Sequence, residues 1–137
     1  MEAARNHPDE VGLELVVPAV PERVGELREA ARAFAIARAA PLAGAIALAV
    51  TEAATNAVLH AYRDRPAGGI RLSATAEDGR LTYVISDAGL GLTPHVAGGS
   101  HWGLGLPIIA QLSDHFELSD GDGSGTRVLI AFDVDLD

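Results

Sequence analysis

Two spacings of apolar residues divide this chain. Ile70, Leu72, Ala74 and Ala76 interleave with Arg71, Ser73 and Thr75, and Leu81, Tyr83 and Ile85 interleave with Thr82, Val84 and Ser86. A period of two is that of a strand with one buried face. Asp78-Gly79 between the two runs is a pair favoured by tight hairpin turns. Over 21–38 the spacing is instead helical, with Val24, Leu27, Ala31, Phe34 and Ala35 on one side and Arg28, Glu29 and Arg32 on others. Pro41 opens a second helix, where a missing N–H costs nothing, and that helix runs to about 62. Residues 12–17 (GLELVV) read as a first strand closed by Pro18, and 63–69 as a loop. Residues 87–103 are Gly-rich without a period, and a loop of that length in a small domain usually carries function. A third helix starts near Leu106, with Pro107 in its first turn, and ends near Asp114. The segments 116–119 and 126–134 form a last hairpin around DGDGSG (120–125). Residues 1–11 read as a flexible polar arm, and 12–137 as a single domain. The order β-α-α-β-β-loop-α-β-β predicts an α/β protein of the α+β kind. Its architecture is a two-layer sandwich, a mixed, mostly antiparallel sheet with helices on one face.

Composition narrows the function. The 137 residues suffice for one core, and with 48% hydrophobic but only 4% aromatic residues that core is built from Ala, Val, Leu and Ile. The net charge is −9, and all ten basic residues are Arg. That balance argues against a nucleic-acid partner. It also means that a bound polyanion needs a metal ion, helix dipoles or the few Arg and His as counter-charge. With no Cys there is neither a disulfide framework nor a thiolate zinc site. Met1 is followed by acidic and polar residues rather than a signal sequence. The apolar run at 41–50 is too short to span a bilayer, so a cytoplasmic protein without a membrane partner is expected.

The chemistry concentrates in the second helix. Its run is nearly all Ala, Val and Leu, yet Glu52, Asn56 and His60 recur every four residues and share a stripe. A carboxylate, an amide and an imidazole on such a helix need polar partners. Asn offers a neutral oxygen that suits Mg²⁺, and Glu one turn earlier can act as a general base. DAGLGL (87–92) follows a strand, where Asp87 can accept a hydrogen bond from an exocyclic amine and glycines allow close approach. GLGL (103–106) opens a helix whose free N–H groups suit phosphate. A Walker loop is excluded by the absence of Lys, and neither G-x-G completes a dinucleotide fingerprint. Asp120, Asp122, Ser124 and Gly125 imitate a calcium loop, but its twelfth position is Ala131 where a bidentate Glu is required. The five His show no zinc-ligand spacing on one helix.

In order along the chain stand E-x-x-x-N on a helix, D-x-G-x-G after a strand, G-x-G before a helix, and Gly125-Thr126 opening a late strand. That series resembles the ATP-binding (Bergerat) fold of gyrase, Hsp90, histidine kinases and MutL, the GHKL superfamily. Within it, EAATNAVLHAY (52–62) is most similar to the helix motif of the anti-sigma-factor serine kinases of bacterial partner-switching systems. The resemblance spans about 12–134. It implies ATP and Mg²⁺ as cofactors, Asn56 as the metal ligand and Glu52 as the catalytic base toward a protein serine. It further implies His60 and Tyr62 near the phosphates and lid, and Asp87 at the adenine amine with Thr126 assisting through water. Gly89 and Gly91 would shape the adenine pocket, Gly103, Leu104, Gly105 and Leu106 the phosphate pocket, and 92–102 the lid. The implied partners are a sigma factor, an anti-anti-sigma (STAS-type) protein as substrate, and a second copy of the chain. The first strand and helix would form the contact surface, with Arg23, Arg28 and Arg32 facing an acidic partner.

One departure matters. No Arg or Lys lies between Asp87 and Arg127, so His95 and His101 are the only basic residues in the lid. A missing charge clamp on a transferring phosphoryl group lowers the rate by orders of magnitude. Two alternatives therefore stand beside the kinase: a non-catalytic ATP-binding switch that sequesters a protein partner, and a detached histidine kinase ATPase domain.

Overall fold

A computed structural model describes residues 12–61, 68–88, 105–120 and 125–134. The expected N-terminal arm (1–11), Tyr62, Gly89, Gly91, the lid (92–102), Gly103 and Leu104 lie outside the described residues. Five strands are present: β1 (Leu13–Pro18), β2 (Gly69–Glu77), β3 (Arg80–Asp87), β4 (His115–Asp120) and β5 (Thr126–Asp133). The helices are α1 (Val24–Ala39), α2 (Ala43–Asn56) and α3 (Gly105–Leu112). Short 3₁₀ turns, Pro21–Arg23 and Ala40–Leu42, lead into α1 and α2, each with proline in its first positions. The strands form one sheet in the order β1-β2-β3-β5-β4, and every pairing is antiparallel. This is the α/β, two-layer architecture that the pattern predicts.

The alternating strands show why the helices occupy one face. Val17, Ile70, Leu72, Ala74, Leu81, Tyr83, Ile85, Val128, Ile130 and Phe132 are buried, and the register aligns them in rows: Val17 opposite Ile70, Leu72 opposite Ile85, Ile85 opposite Val128. Between β2 and β3, Asp78 and Gly79 both take positive φ, 55° and 74°, as a two-residue hairpin of matching twist requires. Pro18 ends an edge strand, where a missing N–H breaks no ladder. The buried residues of α1 are those of its helical period: Val24, Leu27, Ala31, Phe34 and Ala35.

Tyr83 ties the layers together. It is fully buried in β3, and its hydroxyl donates to the Ala31 carbonyl of α1 at 3.0 Å. Its ring meets Phe34 and Phe132 edge-on, with centroids 6.0 and 6.4 Å away. Burial pushes the phenol pKa far up, so the hydroxyl stays a donor. Arg38 caps the cluster, its guanidinium 3.7 Å from the Phe34 ring centroid and 3.0 Å from the Phe34 carbonyl.

Helices on one side leave the other sheet face polar. There Arg80, His115 and Asp133 clasp three strands. Arg80 Nε donates to Asp133 Oδ1 at 3.1 Å, and Arg80 Nη2 lies 2.7 Å from His115 Nε2. Through Pro21–His60 the chain is helical enough, and apolar enough in one 18-residue window (hydropathy 1.8), to cross a membrane by length and composition alone. Here α2 packs instead between α1, α3 and the sheet.

Two outcomes test this packing. Tyr83→Phe should cost about 1 kcal/mol, one buried hydrogen bond, and Tyr83→Ala about 3–5 kcal/mol through the cavity, both read by urea denaturation. Asp133 is partly desolvated, which raises its pKa, but hydrogen bonds to Arg80 and His115 together hold it below the ordinary 3.8. A depressed folded pKa contributes stability above the unfolded value, and this is lost as pH falls through the folded one. Denaturation at stepped pH should therefore show Asp133→Asn less stable than wild type at neutral pH, with the difference vanishing in acid.

Candidate functional site

Small side chains let α2 lie close to its neighbours. Ala43, Ala47, Ala49, Ala53 and Ala54 are all buried, with Ile46 and Val50 filling the deeper positions. Thr51 hides its hydroxyl by donating to the Ala47 carbonyl at 2.7 Å. On the flank of this apolar rod, Asn56 is 7% exposed, and its Nδ2 has no hydrogen-bond partner. An orphaned buried amide costs about 1–3 kcal/mol, so the fold leaves at this point a polar group with unused capacity. Glu52, one turn earlier, is half-buried, as is His60.

The helix does not continue regularly to 62 as its spacing predicts. α2 ends at Asn56, and Ala57–Ala61 form a single π turn. The Ala57 N–H is shared between the Ala53 and Ala54 carbonyls where the geometry changes. Such turns are rare and concentrate at functional sites. No residue-type signal in 52–62 announces it.

The second wall is the end of β3. Asp87 is the last residue of that strand and lies opposite Thr126 on one side and Ile70 on the other. Cross-strand partners share a face, so Asp87 lies on the helix-facing side with Ile70 (0% exposed) and Thr126 (2% exposed). The π turn contacts β3, and α3 packs on α2. The structure thus gathers Glu52, Asn56 and His60 on one wall and Asp87 and Thr126 on another. Gly105 is the first residue of α3, where the N–H has no partner within the helix; the Leu106 side chain lies outside what is described.

Gly125 carries a packing role that its place in the motif series does not specify. Its φ is +84°, and a Cβ there would lie 1.9 Å from the Asp87 carbonyl oxygen and 2.7 Å from the Ala88 Cα. Only glycine lets the β5 start nestle against the backbone carrying Asp87. Its place directly before Thr126 was the available signal.

No group of three or more His, Asp or Glu able to hold a metal occurs among the described residues. A lone amide is still a fitting donor for Mg²⁺, which keeps waters and is commonly shared between one or two protein ligands and substrate phosphates. A half-turn of the Asn56 amide exchanges its nitrogen for its oxygen, so the orphaned group can serve as that donor.

The profile of the histidine kinase-like ATPase domain matches residues 17–132, a span holding both walls. The chain belongs to this family. Its antiparallel sheet with helices on one face is consistent with a GHKL ATPase fold, and membership implies ATP binding. Among relatives, the anti-sigma F factor of Clostridium beijerinckii is 28% identical over 95 residues, covering 60% of this chain and 64% of that protein. The anti-sigma F factor of Pasteuria penetrans is 31% identical over 90 residues, 58% of this chain and 60% of that one. Blue-light-activated histidine kinase 2 of Erythrobacter litoralis is 33% identical over 97 residues, 69% of this chain but 28% of its own length. The chain therefore spans less than two thirds of the anti-sigma F factors it matches here.

Arg23, Arg28 and Arg32 each pair with a nearby carboxylate at the surface. Arg23 bonds Glu26, and Arg28 and Arg32 lie 3.3 and 3.5 Å from Glu29. Such exposed pairs are worth a fraction of a kcal/mol.

Gly125→Ala should strain the junction by about 1–3 kcal/mol and displace the Asp87 backbone. Its thermal denaturation should shift down, and ATP affinity at a temperature where the variant is still folded should fall more than for Gly44→Ala, where a Cβ meets nothing within 4 Å.

Proposed function

We propose that this domain is an ATP- and Mg²⁺-dependent protein-serine kinase that also acts as an anti-sigma factor, with an anti-anti-sigma protein as its substrate. The observation that carries it is the buried Asn56, whose amide nitrogen has no hydrogen-bond partner, one turn from Glu52 on a mostly apolar helix. Asn56 holds the metal, which when bound neutralises charge on the phosphate oxygens. Asp87 accepts a hydrogen bond from the adenine amine, and Thr126 helps to hold the base through water. His60 and Tyr62 stand near the phosphates. Gly89 and Gly91 border the base, and 103–106 the phosphates. In the transfer, the serine oxygen bonds to the terminal phosphorus, the bond to the ADP oxygen breaks, and the hydroxyl proton passes to Glu52. The anti-sigma F factor relatives support this reading.

Residues 12–137 act as one cytoplasmic domain in this reading, and two copies pair through β1 and α1. Arg23, Arg28 and Arg32 exchange their exposed intrahelical partners for carboxylates of the sigma factor. A second reading, a switch that binds ATP and sequesters a partner without transfer, is favoured by the absence of Arg and Lys between Asp87 and Arg127.

A purified STAS-type anti-anti-sigma protein incubated with γ-labelled ATP separates these readings. The kinase yields acid-stable phosphoserine. Glu52→Gln should lower transfer about 100-fold or more while MgATP affinity changes little. Absence of transfer by wild type that still binds MgATP selects the switch, and an acid-labile product selects a histidine kinase.

A further inference from the structure

We infer that the π turn Ala57–Ala61 is a positioning device that keeps His60 on the nucleotide flank of α2, in line with Glu52. The inference rests on the nucleotide reading of that flank. In an α-helix each residue advances about 100° around the axis. Four residues then overshoot a full turn by about 40°, so Asn56 sits about 40° round from Glu52. A further four α residues would carry His60 about 80° from Glu52, toward the side that buries Ala53, Ala57 and Val50. A π turn holds about 4.4 residues, so four residues fall short of a full turn by about 30°. His60 thereby returns to within about 10° of the Glu52 direction.

Burial agrees with this geometry. Ala57 is 4% exposed and Leu59 58% exposed, while His60 shares the half-buried state of Glu52 rather than the buried state of the core side. Val58 packs partly against the core. The turn also contacts β3, the strand that ends in Asp87, so the two walls of the site meet at the turn. The extra residue of the turn keeps a four-residue spacing on one flank where a plain helix would drift away from it. His60 is thus a binding residue whose placement depends on the backbone geometry of the turn that contains it.

Two single-residue deletions separate positioning from mere stability. A π turn has one residue more than an α turn, so removing either Leu59 or Ala61 closes a regular turn and leaves the chain beyond it in place. Without Leu59, His60 stands three residues from Asn56, within about 30° of its present direction. Without Ala61, it stays four residues away and swings about 70° toward the core. Both variants of the full chain would be checked for folding by circular dichroism and titrated calorimetrically with MgATP and with adenosine, beside His60→Ala. The Leu59 deletion should stay within about threefold of wild-type MgATP affinity. The Ala61 deletion and His60→Ala should each weaken MgATP about tenfold, one hydrogen bond to a phosphate, and leave adenosine affinity unchanged. Equal loss in both deletions, or none in either, overturns the inference. Binding of MgATP by wild type with no effect of His60→Ala overturns it while sparing the nucleotide reading. No binding by wild type overturns both.

Discussion

The phenol of Tyr83 lies at the centre of the central strand and reaches out of the sheet layer to the Ala31 carbonyl in the helical layer. Sheet and helices otherwise meet through aliphatic surfaces, which attract without fixing direction. A directed bond in a dry interface, with Phe34 and Phe132 set edge-on around the same ring, fixes how α1 lies along β3. Since α1 packs along α2, the position of α2 over the sheet follows. The aliphatic core supplies most of the burial energy, and this one aromatic contact supplies its register.

The site inherits that register. β3 carries Tyr83 at its middle and Asp87 at its end, so the element that locks the layers also places the carboxylate that faces adenine in the proposed reading. Opposite it, α2 approaches closely because its buried face is mostly alanine. Close approach brings Asn56 into a buried position in which its Nδ2 has no hydrogen-bond partner. Gly125 completes the arrangement, because no other residue would let β5 lie against the Asp87 backbone. The unpartnered Asn56 Nδ2 is a consequence of packing small residues tightly beside one strand, and its unused hydrogen-bonding capacity is what a ligand would satisfy.

Local periodicity carries most of this fold. The buried positions of α1 follow from the spacing of Val24, Leu27, Ala31, Phe34 and Ala35, and the Asp78-Gly79 turn from its residue types. Glu52 and Asn56 stand out because polar groups interrupt an apolar helix. Strand order is different: β5 inserts between β3 and β4 through pairings that no local pattern encodes. The π turn was hidden because a four-residue repeat looks the same whether the backbone winds as α or π. Gly125 stands in the motif series ahead of Thr126, but the contact that demands glycine there is invisible locally, since the backbone it touches, Asp87–Ala88, is remote in sequence.

The central claim is that the flank of α2 and the end of β3 enclose a nucleotide. Its most direct measurement is a MgATP titration of the full chain followed by the fluorescence of Trp102, the single tryptophan, with calorimetry on the same samples. A saturable response that disappears in Asp87→Asn while the variant keeps its thermal transition is the expected result. Absence of binding by both fluorescence and calorimetry, or undiminished affinity in Asp87→Asn, would contradict the account.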